Sequence, residues 1–356
     1  MPNRRNKSQT RFFLSNENEF IFISGRVLRT ICAFILFCEY KYKVENTMQN
    51  LDVINENLYL YGGSILMCLG TIGGILNIFV FIHKKLRKNS CSICLIAFNV
   101  TNLLLLYFLL MPIMLQTTQN IEFGSTNLVY CRIHFYFSFI FTSLSPCYLI
   151  LTSIDRILAT SRNIRLRQLI SRDLMCRCIL CLTLFWSLFH IHALFYTEII
   201  EFSSKFMICY FQRGLYSILV GYYTLIINGL IPLVSYLLFA FLMIRNVHQQ
   251  QVRPFISSYQ SENRRRTQND RQFIRMLLIE ILICIICDFL QPSMLLYKEI
   301  TKTYKKNDDL LAIENFLISI SIFVLHIPFC CSFYTNILVS TTFRKIVKSI
   351  LWRNAC

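Results

Sequence analysis

The sequence predicts an all-α membrane protein: a seven-transmembrane helix bundle followed by a short amphipathic segment. Hydrophobic residues make up 55% of the 356 residues and charged residues only 15%, and the mean hydropathy is +0.50. A soluble domain carries about 25% charged residues, so much of this chain is expected to lie in lipid. The net charge of +17 is confined to clusters between apolar stretches, which indicates cytoplasmic loops and argues against nucleic-acid binding.

Seven apolar stretches reach the roughly 20 residues that a helix needs to cross a bilayer. These predicted spans 1 to 7, which together form a bundle over 58–339, cover residues 58–82, 91–115, 133–154, 178–197, 215–244, 276–297 and 315–339. Six of them contain no Lys, Arg, Asp or Glu, and span 6 contains only Glu280 and Asp288. The spans must be helical because lipid offers backbone groups no hydrogen-bond partner.

The connections between the spans alternate in charge. Lys and Arg are frequent after spans 1, 3 and 5 and in the carboxyl tail, whereas the loop 116–130 has neither. The loop 298–314 is an exception, since it carries four Lys. Basic loops stay in the cytoplasm. We therefore expect a multi-pass plasma-membrane protein with an extracellular amino terminus and a cytoplasmic carboxyl terminus.

The two ends of the chain lie outside the predicted bundle. Residues 1–57 form the extracellular amino-terminal segment, and its longest uncharged apolar run, 30–38, is too short to span a membrane. Because 48–57 is an ordinary exterior segment without Lys or Arg, we expect Met48 to be the start and 1–47 to be no part of the mature protein. Residues 340–356 are predicted to be a cytoplasmic tail, and Cys356 is a candidate for palmitoylation.

Span 3 contains the most informative spacing. Cys131 lies at its exterior end and Cys209 in the next exterior loop, where an oxidising compartment permits a disulfide between them. Arg156 follows twenty-five residues after Cys131, and Asp155 precedes it. A charged pair at the cytoplasmic end of a span is expensive to place in a membrane and is therefore expected to be functional.

This pattern resembles the rhodopsin-like family of G-protein-coupled receptors, whose third helix begins with a bridged Cys and ends with Glu/Asp-Arg-Tyr. The similarity covers about residues 58–352, and the segment from Asp155 to Leu158 resembles an invertebrate branch. Further matches are Asn77 after Gly73-Gly74, Ser145 fourteen residues after Cys131, Trp186 in span 4, Pro232 in span 5, Pro292 in span 6 and Phe343-Arg344-Lys345 after span 7, where the family has its eighth helix.

The resemblance implies a mechanism and a partner. Cys131 and Cys209 would be bridged, and Asp155 would pair with Arg156 at rest. When an extracellular ligand moves span 6 outward, Arg156 would turn toward a heterotrimeric G protein. The alternative to this signalling role is that Arg156 only extends its charged group to the lipid headgroups, which is called snorkelling. Pro292 and Pro232 lack the amide hydrogen and are expected to provide helix hinges in spans 6 and 5.

Several positions depart from the family pattern. Asn102 stands where the family has an Asp that binds sodium together with Ser145, so the polar core of Asn77, Asn102 and Ser145 is not expected to bind the ion. The other departures are Ile157 for the Tyr of the Asp-Arg motif, Ala240 for a Tyr in span 5, Leu290 for a Trp before Pro292, and Ser332-Phe333-Tyr334-Thr335-Asn336 for Asn-Pro-x-x-Tyr in span 7.

The ligand is constrained mainly by what is missing. Ser138 occupies the position where amine receptors carry an Asp, and span 7 has no Lys to form a retinal Schiff base. A peptide or a small neutral ligand is therefore favoured. His326 is equally compatible with the pocket and with packing. The candidate pocket residues are Phe135, Ser138, Phe139, Tyr222, Tyr223, Gln291, Tyr297 and His326.

The remaining polar residues leave alternatives open. Glu280 is expected to pair with a basic loop residue and Asp288 to join a polar relay. His190 and His192 are two apart and are not expected to share a helix face, so we expect no metal site, no cofactor and no enzyme. A transporter or channel that uses Glu280 and Asp288 is the main alternative, although the sequence shows no internal repeat. A receptor-like protein without signalling is another.

Overall fold

The described chain is almost entirely helical, and from Leu51 onward it forms one compact unit. The computed structural model describes residues 48–353 apart from 85, 88, 120–126, 162–163, 169, 204–205, 252–260, 302–303 and 305. The expectations for 1–47 and for Cys356 lie outside these residues.

Eight helical elements, labelled α1 to α8, follow one another along the described chain. α1 comprises Met48–Asn57, the π-helical turn Leu58–Gly63 and Ser64–Ile82; α2 comprises Ser90–Leu105, the π-helical turn Leu106–Leu110 and Met111–Gln119; α3 is Leu128–Ala159; and α4 comprises Arg172–Phe189 and His192–Phe195. α5 comprises Leu215–Tyr223, the π-helical turn Thr224–Leu230 and Ile231–Gln251; α6 comprises Ser261–Asp288 and Leu290–Ile300; α7 comprises Asp308–Leu325 and Ile327–Val339; and α8 is Thr341–Arg353. A short helix, Ile164–Gln168, connects α3 to α4.

Six of the described helices, α1 to α5 and α7, contain stretches long and apolar enough to cross a membrane. α6 is divided at Phe289 into two shorter pieces. The predicted spans coincide with α1 to α7, but most helices extend beyond the apolar stretch by a turn or more. Span 4 differs at its end, because Thr197 belongs to a strand and not to the helix.

The breaks in α5, α6 and α7 lie beside prolines. A proline removes the hydrogen bond to the carbonyl four residues earlier. For Pro232 that carbonyl belongs to Asn228, inside the π-helical turn, and for Pro292 it belongs to Asp288, where α6 is interrupted. Pro328 follows the break at His326 in the same way. Pro146, in contrast, lies within α3, which continues through it as one helix.

Small residues set the distance between α1 and its neighbours. α1 packs on α2 and α7, and α3 packs on α2, α4 and α5. A Cβ atom on Gly70 would lie 2.5 Å from Leu106 Cδ1 and 2.9 Å from Cys330 Sγ, and one on Gly74 would lie 2.7 Å from Leu103 Cδ2. Glycine is therefore required for this close approach, as is common between helices in membranes.

A β-hairpin lies between α4 and α5. Its strands, β1 (Thr197–Ser203) and β2 (Phe206–Phe211), are antiparallel with Thr197 opposite Phe211. Arg132 at the start of α3 donates from Nε to the carbonyl oxygen of Thr197 at 3.2 Å. The hairpin is thereby fixed to α3 at its first residue.

α8 packs its apolar face against the ends of α1, α2, α6 and α7. Phe343 and Ile346 are buried in a cluster with Phe81 and Phe273, whereas Arg344, Lys345 and Lys348 are exposed. One apolar face and one basic face are the features expected of a helix at a membrane surface.

Candidate signalling site

The charged pair near the carboxyl end of α3 is buried. Arg156 is 2% exposed and Asp155 is fully buried, and the guanidinium binds the carboxylate through Nε at 2.9 Å and through a terminal nitrogen. Snorkelling requires a guanidinium that extends outward, and the observed side chain does not. The sequence predicted this pairing, and the structure has it.

Three further residues hold the Asp155–Arg156 pair in place. Ser90 donates from Oγ to the other carboxylate oxygen of Asp155 at 2.6 Å, and Asn89 accepts from a terminal nitrogen of Arg156 at 2.9 Å. The guanidinium also lies 5.7 Å from the ring centroid of Phe273 on α6. Sequence reasoning missed these contacts, because Asn89 and Ser90 lie more than sixty residues from Arg156.

A buried polar cluster connects α1, α2, α6 and α7 in the middle of the bundle. Asn77 donates to Asn99 Oδ1 at 2.7 Å and to Ser332 Oγ at 3.1 Å, and Asn336 donates to Asn77 Oδ1 at 3.3 Å. Glu280 accepts from Ser332 Oγ at 3.0 Å. The expected pairing of Glu280 with a basic loop residue is therefore wrong. Its side chain faces the interior of the bundle, where the hydroxyl of Ser332 on α7 donates to it.

Two other core residues meet as neighbours. Ser145 donates to Asn102 Oδ1 at 2.6 Å. Within the described part of the chain, Nδ2 of Asn102 and Oδ1 of Asp288 have no hydrogen-bond partner. The polar relay expected for Asp288 is thus not formed by the described side chains at this oxygen.

The interrupted segments of α5 and α6 touch one another. Gly229 lies in the π-helical turn of α5, and a Cβ atom there would be 2.9 Å from Cβ of Pro292. Pro292, one of the two positions selected as hinges, therefore contacts the π-helical turn that precedes the other, Pro232.

On the opposite side of the bundle, Cys131 and Cys209 form a disulfide. The bridge joins β2 to α3 and places Phe211, two residues beyond Cys209, over the interior of the bundle. The Phe211 ring lies 4.7 Å from that of Phe135 and 5.5 Å from that of Phe139.

Three of the predicted pocket residues, Phe135, Phe139 and Tyr223, belong to one aromatic group around His190. Phe139 stacks on the fully buried His190 with ring centroids 5.6 Å apart. Tyr223 is bonded to His190 Nε2 at 2.8 Å through its hydroxyl, which also lies 3.1 Å from Ser143 Oγ.

His190 was not among the predicted pocket residues. The structure interrupts α4 after Phe189, so the rings of His190 and His192 lie 5.9 Å apart and His192 is bonded to Tyr216 at 2.8 Å. The expectation that these histidines cannot face the same side is wrong. Among the described residues, no group of three His, Cys, Asp or Glu side chains could hold a metal ion.

The other predicted pocket residues lie elsewhere. Ser138 donates to the carbonyl oxygen of Phe108 at 3.2 Å, and Gln291 is half-buried beside Pro292. Tyr222 is 47% exposed and points in a different direction from Tyr223, because adjacent residues on a helix lie on different faces.

Tyr297 and His326 make contacts of their own. Tyr297 donates to Glu314 Oε1 at 3.2 Å, and Lys306 binds the other oxygen of Glu314 at 2.6 Å. His326 is fully buried, with Nδ1 2.7 Å from the carbonyl oxygen of Ile322. This contact favours the packing alternative for His326, since the ring fills the break in its own helix.

A protein-family model for the seven-transmembrane receptors of the rhodopsin family matches residues 73–331, most of the chain. The chain belongs to the rhodopsin family of seven-transmembrane receptors. A comparison with individually curated proteins finds no match. The matched region runs from Gly73 in α1 into α7, and it includes both the Cys131–Cys209 disulfide and the Asp155–Arg156 pair.

At the positions that depart from the family pattern, this rhodopsin-family receptor forms contacts of its own. Ser332 and Asn336, in place of the usual Asn and Tyr of span 7, both bind Asn77. Ser332 also connects that asparagine to Glu280. The span 7 substitutions therefore keep a polar connection between α1, α6 and α7, although the side chains differ.

Proposed function

We propose that this receptor transmits the binding of an extracellular ligand to a heterotrimeric G protein, with Arg156 as the residue that meets the G protein. The observation that supports the proposal most strongly is the burial of Arg156 beneath Asp155, Asn89 and Phe273. A guanidinium held by contacts from α2, α3 and α6 is released when α6 moves, so ligand binding and cytoplasmic exposure of Arg156 are coupled.

The observed arrangement is the resting state. Asp155 and Asn89 satisfy the donors of Arg156, and Phe273 on α6 covers the guanidinium. The active state requires α6 to turn outward about the contact between Gly229 and Pro292. A ligand shifts such an equilibrium only by its difference in affinity for the two states, which amounts to a few kcal/mol.

We also propose that α6 is the remaining membrane span and that the Cys131–Cys209 end of the bundle is extracellular. Residues 272–288 of α6 are mostly buried, and this helix packs against α5 and α7. Disulfides persist in oxidising compartments, and the disulfide lies at the opposite end of α3 from Arg156. α8 then lies at the cytoplasmic surface with Arg344 and Lys345 toward lipid headgroups.

The ligand that suits the aromatic group beneath the hairpin is a peptide or a small neutral molecule. The aromatic group consists of rings and neutral polar groups, including Tyr223, His190 and Ser143. Ser138 supplies no carboxylate for an amine, and its hydroxyl already binds Phe108. Aromatic walls with a few convergent polar groups are typical of small-ligand and peptide sites.

The test is nucleotide exchange on co-expressed G proteins by the full-length receptor, challenged with pooled peptides and tissue extracts. Arg156→Ala should abolish the response at equal surface expression. Arg344→Ala, an exposed arginine of α8, is the matched control and should preserve it. A response that persists in Arg156→Ala contradicts the role of this residue, and an ion flux with no nucleotide exchange would indicate a transporter or channel.

A further inference from the structure

One side chain of α6 connects the cytoplasmic end of that helix to the junction of α7 and α8. Gln272 donates from Nε2 to Thr341 Oγ1 at 3.0 Å. Its Oε1 accepts from Ser340 Oγ at 3.1 Å and from the backbone amide of Thr342 at 3.2 Å. All three partners belong to the turn that begins α8, so the two ends of one amide hold α6 against this turn.

The bonds of Gln272 lie next to the contact that covers Arg156. Phe273, the following residue on α6, is 6% exposed and lies over the Arg156 guanidinium. Phe273 also belongs to the same buried cluster as Phe343 of α8. An outward movement of α6 must therefore break the Gln272 bonds and uncover Arg156 together.

A cleft beside these bonds shows what such a movement would expose. Its walls include Leu86, Phe273, Met276 and Phe343, and Phe273, Met276 and Phe343 are at most 6% exposed in the closed arrangement. Separation of α6 from α8 would open an apolar wall with Arg156 at its edge. An amphipathic helix with an apolar face and a polar terminus fits a wall of this kind.

We propose that Gln272 is a positioning residue that holds the receptor in its resting state by fastening α6 to the α7–α8 turn. This inference rests on the proposed coupling to a G protein for its signalling consequence, but the fastening itself is a property of the fold. Release of Gln272 allows Phe273 to leave Arg156 and opens the cleft. Arg156 remains the residue that contacts the G protein.

The experiment compares three variants of the full-length receptor in membranes. Gln272→Ala removes all three bonds, and Thr341→Val removes only the acceptor of Nε2. Gln272→Glu keeps an oxygen that accepts from Ser340 and from the amide of Thr342, and its second oxygen can accept from the Thr341 hydroxyl in place of the lost Nε2 bond. Ser349→Ala, an exposed position two turns along α8, is the matched control. The Gln272→Ala, Thr341→Val double variant tests whether the two effects share one contact.

Two readouts separate this inference from the proposed function. Basal nucleotide exchange reports coupling, and the rate at which N-ethylmaleimide modifies Cys91 reports opening without any G protein. Cys91 is 1% exposed and lies in the cluster that contains Phe273 and Phe343. Peptide mass spectrometry identifies its modification among the other cysteines.

Gln272→Ala should speed the modification of Cys91 and raise basal exchange by roughly three- to tenfold, a modest net effect because water replaces part of what the three lost hydrogen bonds contribute. Thr341→Val should have a smaller effect that adds little in the double variant, and Gln272→Glu and Ser349→Ala should resemble the native receptor. Faster Cys91 modification without nucleotide exchange supports the fastening and contradicts the proposed coupling. An unchanged Cys91 rate in Gln272→Ala, or equal opening in Gln272→Glu, overturns the inference.

Discussion

The two halves of the bundle are held by different kinds of contact. At the end of the bundle that contains Arg156, hydrogen bonds join α3 to α2 through Asp155 and Ser90, and they join α6 to α8 through Gln272 and Thr341. Beneath the hairpin, Phe135, Phe139 and their neighbours fill the interior mainly with rings. Hydrogen bonds depend on the placement of single donors and acceptors, whereas packed rings contribute through the apolar area that they bury. The two ends of the bundle should therefore respond differently to substitution.

The largest effect is expected from removal of the buried countercharge. Asp155→Ala leaves the Arg156 guanidinium buried without its carboxylate, which costs about 3–5 kcal/mol. We expect a lower melting temperature and raised basal nucleotide exchange, measured on purified receptor and in membranes. Asp155→Asn keeps the shape and part of the hydrogen bonding, so its effect should be smaller. If Asp155→Ala were as stable as the native receptor, the Asp155–Arg156 pair would not be stabilising its end of the bundle.

The end of the bundle beneath the hairpin should depend most on the Cys131–Cys209 disulfide. Cys131→Ser opens a bridge between residues 78 positions apart, and the loss of such a bridge costs about 2–5 kcal/mol. Surface expression, measured by antibody labelling of intact cells, should fall strongly. Cys181→Ser, at an exposed cysteine outside the bridge, should leave expression unchanged. If both variants reach the surface equally, the hairpin is held by its other contacts.

The contact between the two interrupted helices should respond to a single methyl group. Gly229→Ala places a Cβ atom 2.9 Å from the Pro292 ring, and overpacking of this kind costs about 1–3 kcal/mol. Gly221→Ala, on the same helix with nothing within 4 Å of its added Cβ, is the matched control. Thermal unfolding should separate the two variants. A stable Gly229→Ala receptor would show that α5 and α6 move apart at no cost.

The smallest effect concerns one hydroxyl in the aromatic group. Tyr223→Phe removes the bonds to His190 and Ser143, each contributing about 0.5–1.5 kcal/mol. Tyr222→Phe is the matched control, because that ring is largely exposed. The difference should appear as a small drop in melting temperature for Tyr223→Phe alone. Equal values would place the two tyrosines in equivalent surroundings.

The sequence predicted the features that depend on regular spacing. Apolar length located the helices, and the interval from Cys131 to Arg156 selected the family and the bridged cysteine. The resemblance to the receptor family, and not helix geometry, implied that Asp155 pairs with Arg156, and the two side chains are paired. The resemblance also placed Ser145 and Asn102 in one polar core, and Ser145 donates to Asn102.

The features that the sequence did not predict depend on breaks in the helices or on partners distant along the chain. His190 reaches Tyr223 where α4 is interrupted after Phe189, and the apolar periodicity does not predict that break. Glu280 meets Ser332, and Gln272 meets Thr341, across more than fifty residues of chain. Pairings of this kind are set by how the helices rotate against one another, which the local pattern of apolar residues leaves open.

The position of Phe211 has a kinetic consequence for recognition. Its ring is 8% exposed and occupies the space beside Phe135 and Phe139 while the disulfide holds the strand above it. If the proposed ligand binds beside Tyr223, this ring has to swing away before the ligand enters. Association would then be limited by a motion of the receptor and not by diffusion, and the returning ring would delay departure. Slow entry and long residence are therefore what the proposed binding mode predicts.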